Sequence, residues 1–215
     1  MKYYLPGCDV RRNHPKASAK MTEYMKSKGI EIAQCCRKDL SFLKEGDSII
    51  ENCTLCELML KERVPDTPFQ SLYEYLLDTD FLWPDYHGEM MYIQDCFRMK
   101  DNPIIHNAVR ESLQRMNIQI LEAKQNREKS EYCGVWLNNP PASDCVILAP
   151  ITFTELENYR HILTKEEQEE KMTEWVKQYN GMSVVVYCNG CEKGIKLGHG
   201  NAIHLIELIT KELKI

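Results

Sequence analysis

Apolar positions recur along this chain in a fixed order: a short β-prone run, a stripe with helical period, then a second β-prone run. Tyr3, Tyr4 and Leu5 form the first run, closed by Pro6-Gly7, and predict a strand that delivers Cys8 to a loop. Pro15 suits a first helical position, and Ala17, Met21, Tyr24 and Met25 follow at helical spacing until Gly29. Ile30 to Ala33 alternates as a strand and runs into Cys35 and Cys36. A further β-prone run, Gly46 to Asn52, leads to Cys53 and Cys56, with a helix expected from Cys56 to Arg63. Phe69, Leu72, Tyr73, Leu76 and Leu77 have helical period, and Asp78 to Gly88 reads as a linker.

Beyond that linker the pattern repeats. With a constant offset of 88, Tyr4 aligns with Tyr92, Cys8 with Cys96, Pro15 with Pro103, Glu23 with Glu111, Ile30 with Ile118 and Ile32 with Ile120. Asn102 is a good N-cap before Pro103, and Val109, Leu113 and Met116 form the matching helical stripe. The two copies then diverge. Cys145 to Ala149 reads as a short apolar strand, and Thr164 with Glu167 as a capping box that opens a helix through Met172, Trp175, Val176 and Tyr179. At an offset of 135 the copies rejoin: Gly46 matches Gly181, Ile49 and Ile50 match Val184 and Val185, and Cys53 and Cys56 match Cys188 and Cys191. A last helix is expected over Ala202 to Leu213, preceded by a turn at Gly198-His199-Gly200.

The pattern predicts an α/β protein of two pseudo-repeated αβ lobes with short parallel sheets, cysteines standing at the carboxyl ends of the strands. The lobes would span residues 1–88 and 89–215, the second with an insertion around 137–180. In open α/β sheets that edge is where loops converge and ligands bind.

Composition narrows the chemistry. A chain of 215 residues with a net charge of -5 and no dominant basic stripe does not fit a nucleic-acid partner. Mean hydropathy is -0.46 and no apolar run is long enough for a bilayer. With no signal-like apolar core before Pro6, the expected compartment is the cytoplasm. In that reducing setting ten cysteines point to metal or redox chemistry rather than disulfide staples. A Cys-x-x-Cys turn with more distant thiols suits zinc or iron–sulfur ligation. Five thiols, Cys8, Cys35, Cys36, Cys53 and Cys56, exceed what one structural zinc takes, and adjacent ligating cysteines suggest a site with several metal atoms. The second set has four: Cys96, Cys133, Cys188 and Cys191.

This order, single Cys, Cys-Cys, Cys-x-x-Cys, present twice across nearly the whole chain, resembles the cysteine-rich CCG domain found in heterodisulfide reductase and related iron–sulfur oxidoreductases. The likeness runs from Tyr4-Leu5-Pro6-Gly7-Cys8 to Val185-Val186-Tyr187-Cys188-Asn189-Gly190-Cys191, with His204 and Glu207 like the family's usual ending. It implies a noncubane [4Fe–4S] cluster on Cys8, Cys35, Cys36, Cys53 and Cys56, and an oxidoreductase or electron-transfer role, with a disulfide-type substrate and a redox partner subunit or ferredoxin-like or flavin protein. Three departures stand out: Cys35-Cys36-Arg37 lacks the family's glycine, the gap from there to Cys53 is shorter than the family usually shows, and Tyr132-Cys133-Gly134 lacks one thiol. Four thiolates there could hold a cubane cluster, zinc or nothing. The alternatives to a redox role by cluster are a zinc-stabilised binding module and a thiol–disulfide exchanger acting through Cys53 and Cys56 or Cys188 and Cys191.

Other candidates have plainer readings. Arg11, Arg12 and Arg37 could balance cluster charge but read as solvated. Cys145 reads as core. His14, His106 and His161 show no carboxylate or nucleophile partner in the sequence, and Glu166 to Glu170 read as a solvated helix face.

Overall fold

The computed structural model describes residues 1–131, Gly134 and residues 138–214, and the structure is α/β with two four-stranded parallel sheets. In the first sheet, β1 (Lys2–Leu5) pairs with β2 (Glu31–Ile32) on one side and β3 (Ser48–Glu51) on the other, and β3 pairs with β4 (Phe69–Ser71). The second sheet repeats this order with β5 (Met90–Ile93) beside β6 (Gln119–Glu122) and β7 (Ser183–Val186), and β8 (Asn201–His204) outermost. Parallel pairing needs crossovers, and helices supply them. These are α1 (Cys8–Asn13), α2 (Pro15–Ser27), α3 (Thr54–Arg63) and α4 (Leu72–Leu77) in the first half. The second half contains α5 (Pro103–Arg115), α6 (Ser143–Leu148), α7 (Pro150–Glu157), α8 (Lys165–Val176), α9 (Asn189–Leu197) and α10 (Leu205–Ile209).

The repeat seen in the sequence is a repeat in structure. Helix α2 begins at Pro15 and α5 at Pro103, each with proline in the first turn, where its missing N–H costs nothing. Met21 and Met25 of α2, and Val109 and Leu113 of α5, are buried on the faces that the helical period predicts. The halves also pack reciprocally: α4 lies on α5 and α10 on α2, while α1 meets α9 and α3 meets the 3-10 turn Phe97–Met99. One buried apolar cluster runs through both halves, joining Tyr4, Met21 and Leu76 to Val109, Val185 and Ile206.

Four local expectations are corrected. Cys145 to Ala149 is not a strand: Ser143–Leu148 is helix α6, and the half-helical alternation of a six-residue apolar run could not separate the two. The segment from Ala202 is not one helix, because Asn201–His204 pairs in parallel with Ser183–Val186 and only Leu205–Ile209 is helical. Phe69 likewise lies in strand β4, the equivalent edge of the first sheet. In both places the helix starts after a capping residue, Ser71 or His204, whose side chain accepts from a backbone N–H in the first turn. Fourth, Cys8 stands not in a loop but at the start of α1. The expected capping box is present, with Thr164 Oγ1 accepting from the Glu167 N–H and the Glu167 carboxylate accepting from the Thr164 N–H.

Helices α6 and α7 belong to the second half in sequence but pack on α3 of the first. Cys145, Ala149 and Phe153 are buried there against Cys35, Cys36, Cys56, Met59 and Leu60. Burial pushes the Cys145 thiol up and keeps it protonated, as a core residue. The insertion therefore roofs the first cysteine group.

Candidate metal centre

Parallel strands put all their carboxyl ends on one edge of the sheet, and the cysteines follow from there. Cys8 comes after β1, Cys35 and Cys36 after β2, and Cys53 and Cys56 after β3; Cys96 comes after β5, and Cys188 and Cys191 after β7. Cys133 lies outside the described residues. Gly7 lets Cys8 come close: it has φ of 79°, and a Cβ on it would stand 3.1 Å from both Asn52 O and Cys53 Cβ.

The five thiols of the first group influence one another in sequence, Cys8 and Cys36 acting on Cys35, Cys56 on Cys36, and Cys56 on Cys53. The Cys36 and Cys8 thiols, then Arg37, hold Cys35 far below the ordinary thiol range, whereas the hydrogen bond to Cys35 drives Cys8 upward. Cys53 is lowered by Cys56 and by the Arg98 guanidinium, and Cys56 is raised by Cys36 and Cys53. Arg37 Nη2 donates to Cys8 Sγ at 3.5 Å, while its Nη1 donates to Asp144 at 2.7 Å on α6. Met59 Sδ lies 3.9 Å from Cys36 Sγ. Cys8 and Cys53 are partly exposed and Cys35, Cys36 and Cys56 are buried.

The second group is compact. The sulfurs of Cys96, Cys188 and Cys191 all lie within 4.8 Å of one another and are buried. Tetrahedral zinc–sulfur bonds of about 2.3 Å set sulfurs roughly 3.8 Å apart, so one ion can meet all three once they draw slightly together. Gly134, with φ of 46°, lies so close to Gly190 and Cys191 that no Cβ would fit, which seats the chain directly against the Cys188-to-Cys191 turn. Behind Cys96, a buried network holds the loop: Arg110 donates to Asp95 at 2.6 Å and to Glu122 at 2.7 Å, and Tyr187 donates to Asp95 at 2.9 Å.

Cys53 caps α3 and Cys188 caps α9, so each sulfur stands at a helix N-terminus, whose partial positive charge favours thiolate. Both line one cavity of about 280 Å³, together with Asp9, Thr54, Arg98 and Lys193. Arg98 Nη1 lies 3.4 Å from Thr54 Oγ1 and 3.9 Å from Cys188 Sγ, between the two helices. Sequence reading did not single out Arg98; its signal was faint, a lone cation two residues after Cys96.

One further side chain, His14, was misjudged because its partners lie in the other half. His14 does have carboxylate partners: Nε2 is 2.8 Å from Glu192 and Nδ1 is 3.1 Å from Glu207. Its counterpart Asn102 caps α5 and donates to Glu57 at 2.8 Å. Glu57 and Glu192 are both buried beside the second cysteine of each Cys-x-x-Cys, and each pairs with a lysine four residues on, Lys61 or Lys196.

The donor sets fit thiophilic metal. Among the described residues, Cys96, Cys188 and Cys191 form a buried group that could hold a metal ion, whereas no three sulfurs of the first group lie mutually within 4.8 Å. No helix is long and apolar enough to cross a membrane. No family model matches the chain, and no curated protein matches it.

Proposed function

We propose that the protein is an iron–sulfur cluster-binding oxidoreductase or electron-transfer subunit of the kind that the likeness to the heterodisulfide reductase CCG domain implies. The observation that carries the reading is that five thiols, Cys8, Cys35, Cys36, Cys53 and Cys56, follow the carboxyl ends of β1, β2 and β3, one more donor than mononuclear zinc takes. Those five would hold the first cluster, and Cys96, Cys188 and Cys191, with Cys133, the second group. When bound, a cluster supplies one-electron chemistry at thiolate-held iron.

The chain's own residues do the rest. Arg37 and Arg98 offset thiolate charge, and α6 and α7 keep water from the first group. The cavity between Cys53 and Cys188 is small, and Arg98 and Lys193 favour a short disulfide with an anionic arm. Reduction of such a disulfide consumes two electrons and two protons and yields two thiols. The electrons come from a redox partner, a ferredoxin-like or flavin protein. Assay of the reconstituted protein with reduced viologen tests this: anionic disulfides are consumed faster than neutral ones, and consumption of neither leaves only the electron-transfer role.

A second reading is favoured at one place. The compactness of Cys96, Cys188 and Cys191 suits a single zinc ion, so the second group would then be structural while the first is redox-active.

A further inference from the structure

A second constellation lies where the halves meet, outside the cysteine groups. His14 stands between α1 and α2, Glu192 on α9 and Glu207 on α10, and one ligand atom of each lies within 4.8 Å of the others. The charges there are incompletely matched. Lys196 takes Glu192 Oε1 at 2.6 Å, and Glu192 Oε2 faces His14 Nε2. With the proton on Nε2, the tautomer that this contact requires, Nδ1 presents a lone pair. That atom is buried, has no hydrogen-bond partner among the described residues, and sits 3.1 Å from Glu207 Oε1 but out of line for a bond. In that neutral tautomer the lone pair and the carboxylate oxygen repel, so the pair invites a positive charge, a proton at low pH or a metal cation above it. The His204 ring, fully buried with its Nε2 also unpartnered among the described residues, packs 4.7 Å from the His14 ring.

The repeat provides an internal control. At the matching positions of the other interface stand Asn102, Glu57 and Glu74. There Asn102 donates an amide hydrogen to Glu57, and Glu74 folds back to accept from its own N-cap residue, Ser71. In that trio Glu57 is matched by Asn102 and Lys61, and Glu74 serves its own helix cap. Only the His14 side has an imidazole nitrogen and a carboxylate turned toward each other.

We infer that His14, Glu192 and Glu207 form a site for a divalent first-row cation that clasps the two halves, separate from whatever the thiols hold. The direct donors, His14 Nδ1 and the Glu207 carboxylate, suit manganese, ferrous iron or zinc. Glu192 orients the His14 ring through Nε2, as second-sphere carboxylates do. Glu207, whose side chain is 48% exposed, opens the site to solvent and leaves room for water ligands.

Manganese is the discriminating probe, because it is hard and does not compete for thiolates. Titration of the cluster-loaded protein with Mn²⁺, followed by the loss of the aqueous manganese electron paramagnetic resonance signal, shows one site per chain. Pulsed measurements show nitrogen coupling from a coordinated imidazole. Glu207→Gln, at a half-exposed position that the fold tolerates, weakens binding at least tenfold, and His14→Asn, which copies Asn102, removes the nitrogen coupling; iron content stays unchanged in both. Absence of a stoichiometric Mn²⁺ site in the wild type, or equal binding in wild type and Glu207→Gln, overturns the inference.

Discussion

Cys53 and Cys188, the capping residues of two equivalent helices in the two halves, line the same cavity with Arg98 between them. Two sulfur groups that are far apart in sequence thus share one approach. Arg98→Ala is expected to leave metal content intact and to raise KM for an anionic disulfide about tenfold, the loss of one charge-assisted contact worth roughly 1.5 kcal/mol. Steady-state kinetics at two ionic strengths checks it; the wild type is salt-sensitive and the variant less so.

Cys36 is central to the first group, since both Cys35 and Cys56 act on its thiol. Cys36→Ser is expected to abolish iron at the first group and to leave the second group's metal in place. Iron, zinc and labile sulfide analysis of the purified variant measures both. Equal loss at both groups contradicts their independence.

Gly134 has no room for a side chain against Gly190 and Cys191. Gly134→Ala is therefore expected to lose metal at the second group while the first keeps its own. Since the backbone must move, a fall in thermal midpoint accompanies it, and the same analysis separates local loss from general unfolding.

Asn102→Ala removes the cap of α5 and one of the bonds to buried Glu57. The two losses together are expected to cost about 2 kcal/mol of stability, read as a lower urea midpoint with an unchanged slope.

The His14 interface should respond to pH in a definite direction. Burial alone would lower the His14 pKa, but Glu192 and Glu207 outweigh it and raise the value above the ordinary 6.5. The ion pairs are thus fully present below pH 6.5, and their contribution fades as pH rises through the raised value. Burial works against ionised Glu192, yet His14 and then Lys196 hold it down to about 2, so it stays charged through this range. His204 runs the other way: burial, and then His14, lower it to about 4, so it favours folding above 6.5 and loses that contribution as pH falls toward 4. In metal-chelated buffer, urea midpoints between pH 6 and pH 9 should decline for the wild type and stay flatter for His14→Asn.

The sequence carried the repeat because periodicity and proline placement are local: Pro15 and Pro103 mark helix starts that no tertiary contact had to decide. The cysteine positions were legible for the same reason, each following a β-prone run. Strands β4 and β8 were not, because Phe69 and Ile203 sit at spacings that also fit the following helices, and parallel pairing with a distant strand settled the matter. Helix α6 was misread because six apolar-rich residues carry too little period. The roles of Arg98 and His14 were invisible, since both depend on side chains contributed by the other half.

The central claim is that these thiols hold iron–sulfur clusters, and the most direct measurement is metal and labile-sulfide analysis with absorption spectroscopy after anaerobic purification. The account predicts a brown protein with several irons and matching sulfide per chain. A colourless protein with stoichiometric zinc and no sulfide contradicts it.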